Sequence, residues 1–196
     1  LVETLMPEKQ VTKPFPRLTY QESIAAYGTD KPDLRFELKL ADLSDVASGT
    51  EFRVFQTVLE NGGIVKGFSA PGCGSYPRRQ IDELTEFVKA RGAQGLVSMA
   101  LTGEPGPLDS LTREGVKSAV SRFLTLDQIK AIAKATGAEI GDIILIVAGP
   151  PKSTNLALGQ LRNEMGQRLG LADPDKLIFG FVLDFLEIIY IVIPIV

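Results

Sequence analysis

Apolar and polar positions along the chain change their period several times, and each change marks an element. From Leu1 to Phe15 there is no sustained period, and Pro7, Pro14 and Pro16 deny a continuous helix, so this stretch reads as a linker. Thr19 then offers an N-cap, Glu22 stands three residues on as in a capping box, and Gly28 supplies a stop, which predicts a short helix. A polar stretch around Pro32 leads into Phe36–Leu43, where Phe36, Leu38 and Leu40 alternate with Glu37, Lys39 and Ala41 as in a half-buried strand. Strands are also expected over 51–59 and 64–69, joined as a hairpin through Asn61-Gly62, a pair that favours positive φ.

Further on, Ile81, Leu84, Thr85 and Val88 recur at helical spacing, and the helix is expected from about Arg78, opened by Ser75 or Pro77, to Arg91, with Gly92 ending it. Leu96–Leu101 reads as a strand, 112–123 as a weak helix, and 125–136 as a strong helix with Leu126, Ile129, Ile132 and Ala133 inward and Gly137 as its stop. The unbroken apolar run Ile143–Ala148 suits a central strand. Ser153 or Thr154 is expected to cap a last helix that turns Leu156, Leu158, Leu161, Met165 and Leu169 inward. Because helices and strands are mixed without strict alternation, the expected fold class is α+β, a mainly antiparallel sheet covered by helices.

The stretch 177–196 has the length of a membrane span, but Asp184 and Glu187 would each cost on the order of 2–3 kcal/mol at its middle. Its β-branched run and Pro194 favour strands, so no membrane partner is expected. An uncharged IIYIVIPIV end is sticky and must be buried, paired with another chain, or out of its natural context.

Composition narrows the chemistry. With 21 basic and 24 acidic residues the net charge is −3, which excludes the global basic excess of a protein held on nucleic acid by charge alone, though not a local basic patch. There is no histidine and a single cysteine, so a His/Cys zinc site, a Ser-His-Asp triad and an internal disulfide are all excluded. No apolar signal segment opens the sequence, so a cytoplasmic location is expected, and the start without Met suggests a piece of a longer protein.

The glycine stretches 61–67 and 71–74 match neither a P-loop nor a dinucleotide fingerprint and read as turns. Cys73 lies just before Arg78-Arg79, but without a histidine base it reads as an incidental thiol. The acidic groups fall on loops and helix faces at no metal-binding spacing, so neither catalytic nor metal-ligating residues are expected. Lys66, Arg78, Arg79, Lys89 and Arg91 remain as candidates to gather at one sheet edge and contact a phosphate backbone.

Two segments are specific enough to suggest a family. Pro14-Phe-Pro-Arg-Leu-Thr-Tyr20 and Tyr27-Gly-Thr-Asp-Lys-Pro-Asp-Leu-Arg-Phe36 resemble the stretch after the second class motif of bacterial-type aspartyl-tRNA synthetases. Residues 81–87, 92–96, 141–144 and 157–162 resemble the α+β module inserted in those enzymes, the GAD domain. The resemblance implies three parts: a linker and short helix over 1–35, a GAD-like insertion domain over 36–176, and strands returning to a catalytic core over 177–196, ending in an atypical apolar tail. It implies a parent enzyme that joins aspartate to tRNA with ATP and magnesium, is a homodimer, and packs its catalytic core against this module. The second and third class motifs and the active-site histidines are not in this sequence, so the chain is expected to be inactive alone, to bind no cofactor, and at most to touch the tRNA acceptor end. A similar module occurs in a tRNA-dependent amidotransferase subunit, which leaves a free-standing module docking on a tRNA enzyme as the alternative.

Overall fold

The computed structural model describes residues 2–185, with side chains from residue 4 onward. The helical elements are α1 (Val2–Leu5), α2 (Tyr20–Tyr27), α3 (Ser44–Ser48), α4 (Arg53–Glu60), α5 (Arg78–Lys89), α6 (Leu126–Thr136) and α7 (Pro151–Arg168). The strands are β1 (Gln10–Val11), β2 (Arg17–Thr19), β3 (Ala41–Asp42), β4 (Ile64–Ala70), β5 (Val97–Leu101), β6 (Val116–Lys117), β7 (Ile143–Gly149), β8 (Lys176–Leu177) and β9 (Phe181–Leu183). Five of them form an antiparallel sheet in the order β3-β4-β7-β5-β6. The pairs β1–β8 and β2–β9 are separate and parallel. A mainly antiparallel sheet covered by helices is the fold class that the sequence pattern predicts.

β7 explains why both faces are covered. Its residues 143–147 are all buried, and by strand alternation Ile143, Leu145 and Val147 pack with α5 and α7 while Ile144 and Ile146 pack with α4 and α6. The first layer contains Phe68, Leu84, Val88, Leu158, Leu161 and Met165; the second contains Val65, Phe55, Met99, Ile129 and Ile132. On α7 the inward face is Ala157, Leu158, Leu161, Arg162, Met165 and Gly166, whereas Leu156, expected inside, is 47% exposed.

Local signals predicted several elements closely. Thr19 and Glu22 form the capping box of α2, and Gly28 closes it at φ 71°. Thr125 and Gln128 form another on α6, closed by Gly137 at φ 64°. The helix α5 starts after Pro77, and β5 and β7 lie where strands were expected.

Four expectations are corrected. Residues 53–60 are helical, not the first strand of a hairpin: Phe52, Phe55 and Leu59 follow a helical period toward the second layer. Asn61-Gly62 ends that helix, with Gly62 N–H bonded to the Leu59 carbonyl and Gly63 N–H to that of Val58, the two bonds of a Schellman motif. Residues 36–40 alternate in burial as expected, yet only Ala41–Asp42 joins the sheet, because the preceding carbonyls are bonded elsewhere. Residues 112–123 hold β6 and a 3₁₀ turn at Ser121–Phe123 in place of a helix. The last helix begins at Pro151, before Ser153 or Thr154. Two short strands, β8 and β9, lie within 176–183, while the β-branched run 188–196 on which the strand expectation rests lies outside the described residues. Among the described residues no helix is long and apolar enough to cross a membrane.

Candidate nucleic-acid interface

The five candidate cations do not gather. Lys66 sits on β4 at 5% exposure, with its Nζ donating to the Ala25 carbonyl at 2.8 Å and to Asn155 Oδ1 at 3.0 Å. Ala25 is in the last turn of α2, so the ammonium satisfies a helix-end carbonyl and meets the negative end of the helix dipole. Burial pushes the Lys66 pKa down, only partly offset by the Asp42 charge. This lysine is spent inside the fold, which corrects its place among the phosphate contacts.

Arg78, Arg79 and Lys89 are exposed on α5, as expected, but each has a carboxylate beside it. Arg78 pairs with Asp82 at 2.8 Å, Arg79 with Glu83 at 3.1 Å and Lys89 with Glu86 at 2.9 Å. Such exposed pairs contribute about 0–1 kcal/mol and are screened by salt, so they open readily to a stronger anion. Arg91, past the end of the helix, is turned toward α7: it lies over the Phe87 ring, donates to the Phe87 carbonyl and bonds Gln160.

A groove of about 600 Å³ runs between α5 and the β5–β6 edge of the sheet. Its floor carries Ser98, Ala100 and Ile143; Arg78 and Lys89 rise from the helix and Lys117 from β6. Lys117 makes no ion pair among the described residues and was not singled out from the sequence. The signal available was weak, because a lone lysine in a stretch read as helix shows no neighbour; only the register pairing Lys117 with Ala100 puts it opposite α5.

At the other edge of the sheet a second cation is buried. Arg162 of α7 is fully buried, and its guanidinium donates to the carbonyls of Leu38, Phe36 and Asp33 while lying over the rings of Phe36 and Tyr27 at 4.1 and 4.9 Å. Asp33 in turn pairs with Arg35 at 2.7 Å, which holds its carboxyl below the usual range. Close by, α2 meets α7 through glycines: a Cβ on Gly159 would stand 2.8 Å from the Tyr27 carbonyl oxygen.

Buried Asp142 accepts from Ser69 Oγ and from the backbone N–H of Gly72 and Glu139, which ties the turn at 70–74 to the start of β7. The Cys73 thiol is buried and its pKa is raised by that burial, the opposite of an activated nucleophile. Burial, with the bond to Cys73, pushes the Tyr76 phenol up to about 12. Among the described residues no three acidic or cysteine side chains converge as metal ligands.

The GAD domain family model matches residues 55–158, slightly more than half of the chain. The chain is also 45% identical over 185 residues to the aspartate–tRNA(Asp/Asn) ligase of Dehalococcoides mccartyi, covering 94% of this chain and 31% of that protein. It is 49% identical over 176 residues to the ligase of the same name from Symbiobacterium thermophilum, covering 90% of this chain and 28% of that one. For the Geotalea uraniireducens ligase the identity is 45% over 175 residues, covering 89% and 28%. The chain thus spans less than a third of the length of these curated relatives.

Proposed function

The chain belongs to the GAD domain family, and from that premise we propose that it serves as the inserted domain of a bacterial-type aspartyl-tRNA synthetase, without catalytic groups of its own. The observation that carries this reading is the reach of the likeness: identity to the ligases extends over 185 residues, well beyond the 55–158 of the GAD match. A free-standing GAD module would give no reason for the flanks to match as well. The parent reaction, ligation of aspartate to tRNA at the expense of ATP with magnesium, belongs to the remainder of such an enzyme.

The catalytic core of the synthetase is the proposed partner of the face formed by β2 and β9. Phe179, Phe181 and Phe185 are 44%, 49% and 52% exposed there, in a cluster with Phe15 and Tyr20. Parallel strands are normally covered on both faces, and a two-stranded parallel pair with open aromatic side chains calls for a covering layer. On the far side, Arg78, Lys89 and Lys117 around the groove, with Arg79 next to Arg78 on α5, are proposed to contact tRNA phosphates; Arg91, engaged by Phe87 and Gln160, contributes less.

The test is a chimera in which these residues replace the matching stretch of the Dehalococcoides mccartyi ligase. The expected result is a folded enzyme that charges tRNA with aspartate, while the 196-residue chain alone charges none. A well-folded but inactive chimera, or aminoacylation by the chain alone, overturns the reading.

A further inference from the structure

A second surface, on the face of the sheet away from α5, has the chemistry of an RNA contact. Phe52, at the start of α4, packs edge-on against buried Phe55 with ring centroids 4.9 Å apart. Its ring lies 5.5 Å from that of Phe123 at 31°, and the Arg122 guanidinium lies 4.7 Å above Phe123. The backbone holds this layer together: Glu51 N–H donates to the Phe123 carbonyl at 3.1 Å, and Arg113 donates to the carbonyls of Ser121 and Leu124 across the turn. Arg53 follows Phe52 directly and is exposed.

The state of these arginines sets the surface apart. Arg78, Arg79 and Lys89 are each neutralised by a carboxylate, whereas Arg53 and Arg122 make no hydrogen bond or ion pair among the described residues. Exposed carboxylates are near in sequence, Glu51, Glu114 and Asp127, and none of them pairs with either arginine. A guanidinium laid on an aromatic ring has its orientation set while its N–H donors stay free, so binding a ligand costs less ordering than fixing a loose side chain.

We propose that Arg122 stacked on Phe123, whose ring lies against that of Phe52, forms together with the neighbouring exposed Arg53 a second RNA-contacting surface that takes an unpaired stretch of the strand. The planar guanidinium presents a face for a splayed base and a fork for the neighbouring phosphate, and a duplex offers no free base face to such a layer. The identity of the polyanion as RNA rests on the reading of the chain as part of a tRNA synthetase; the unpaired arginines and the Arg122–Phe123 stack do not. Phe52 and Phe123 pack against the second core layer and α5 covers the first, so the two surfaces act independently.

The experiment is fluorescence anisotropy with a short labelled single-stranded RNA and with a duplex of the same length, across a salt series, on the full chain. Arg53→Ala with Arg122→Ala is expected to weaken single-strand binding about tenfold and duplex binding much less. Arg122→Lys, which keeps the charge but not the plane, is expected to lose most of the same affinity, and inorganic phosphate to compete only weakly. All of these side chains are exposed, and an unchanged unfolding midpoint checks that each variant is folded. Single-strand binding that survives Arg53→Ala with Arg122→Ala but falls with Arg78→Ala and Arg79→Ala overturns this surface and leaves the RNA reading intact. Full affinity in Arg122→Lys overturns the stacking role, strong competition by inorganic phosphate reduces the site to an anion contact and overturns it too, and no RNA binding by the unaltered chain sinks both readings.

Discussion

Lys66 and Arg162 at one edge of the sheet, and Arg78, Lys117 and Arg122 toward the other, are cations of the same domain in opposite states. At the β3–β4 edge the charges are buried and bonded to backbone carbonyls: Ala25 for Lys66; Leu38, Phe36 and Asp33 for Arg162. Nothing remains for a ligand, and the reward is structural, since α2 and residues 33–40 are held onto α7 and the sheet. At the β5–β6 edge and on α4 the charges are exposed, weakly paired or unpaired, and the fold loses little if they turn outward. The lesson is that net charge says little about where a polyanion can bind. What decides is whether each cation's hydrogen bonds are already taken.

That contrast is broken most severely at Arg162. Arg162→Ala leaves two buried carbonyls and one half-buried carbonyl without donors and is expected to cost on the order of 3–5 kcal/mol, read as a drop in urea midpoint, whereas Arg122→Ala in the same assay should leave the midpoint unmoved. Next, Gly159→Ala drives a Cβ against the Tyr27 carbonyl and should cost about 2 kcal/mol by pushing α2 off α7, visible as a lower thermal midpoint.

A smaller effect is expected from the pH dependence of Lys66. Its folded pKa lies below the unfolded value, so between the two the unfolded chain binds more protons and stability rises with pH. The destabilisation from its buried charge is therefore full at neutral pH and is relieved as the pH climbs through the folded pKa toward 10.5. Relative to Lys66→Met, the unaltered chain should gain stability on alkaline titration; a flat difference curve contradicts the burial argument. Smallest of all, Asp82→Ala with Glu83→Ala should change stability by less than about 1 kcal/mol, and should strengthen RNA binding at low salt by freeing Arg78 and Arg79.

Some of this was written in the sequence. Thr19, Glu22 and Gly28 announce α2 because a cap is a local bond pattern, and the run at 143–148 announces a strand covered on both faces. Phe52-Arg-Val-Phe55 misled because its aromatic and β-branched residues favour strands, while the helical spacing of Phe52, Phe55 and Leu59, toward a core that only the tertiary fold supplies, prevailed. Phe36, Leu38 and Leu40 gave their burial correctly but not their hydrogen bonds, because Arg162 lies more than 120 residues away. For the same reason Lys66 was indistinguishable from the surface lysines: its partners Ala25 and Asn155 are distant in sequence, and strand alternation alone does not say that both faces are covered. Arg53 and Arg122 each stand beside a phenylalanine in the sequence, but only the folded chain brings the two pairs into one layer.

The central claim is that the buried cations make α2 and residues 33–40 one cooperative body with the sheet. Native-state hydrogen exchange tests it at two amides: Gly28, bonded to the Ile24 carbonyl, and Leu40, bonded to that of Ala26. The account predicts that both exchange only through global unfolding, with the same free energy as the amides of β4 and β7. Rapid exchange at Gly28 and Leu40 while β4 and β7 stay protected would contradict it, and would make this end of the molecule a loosely tethered flank.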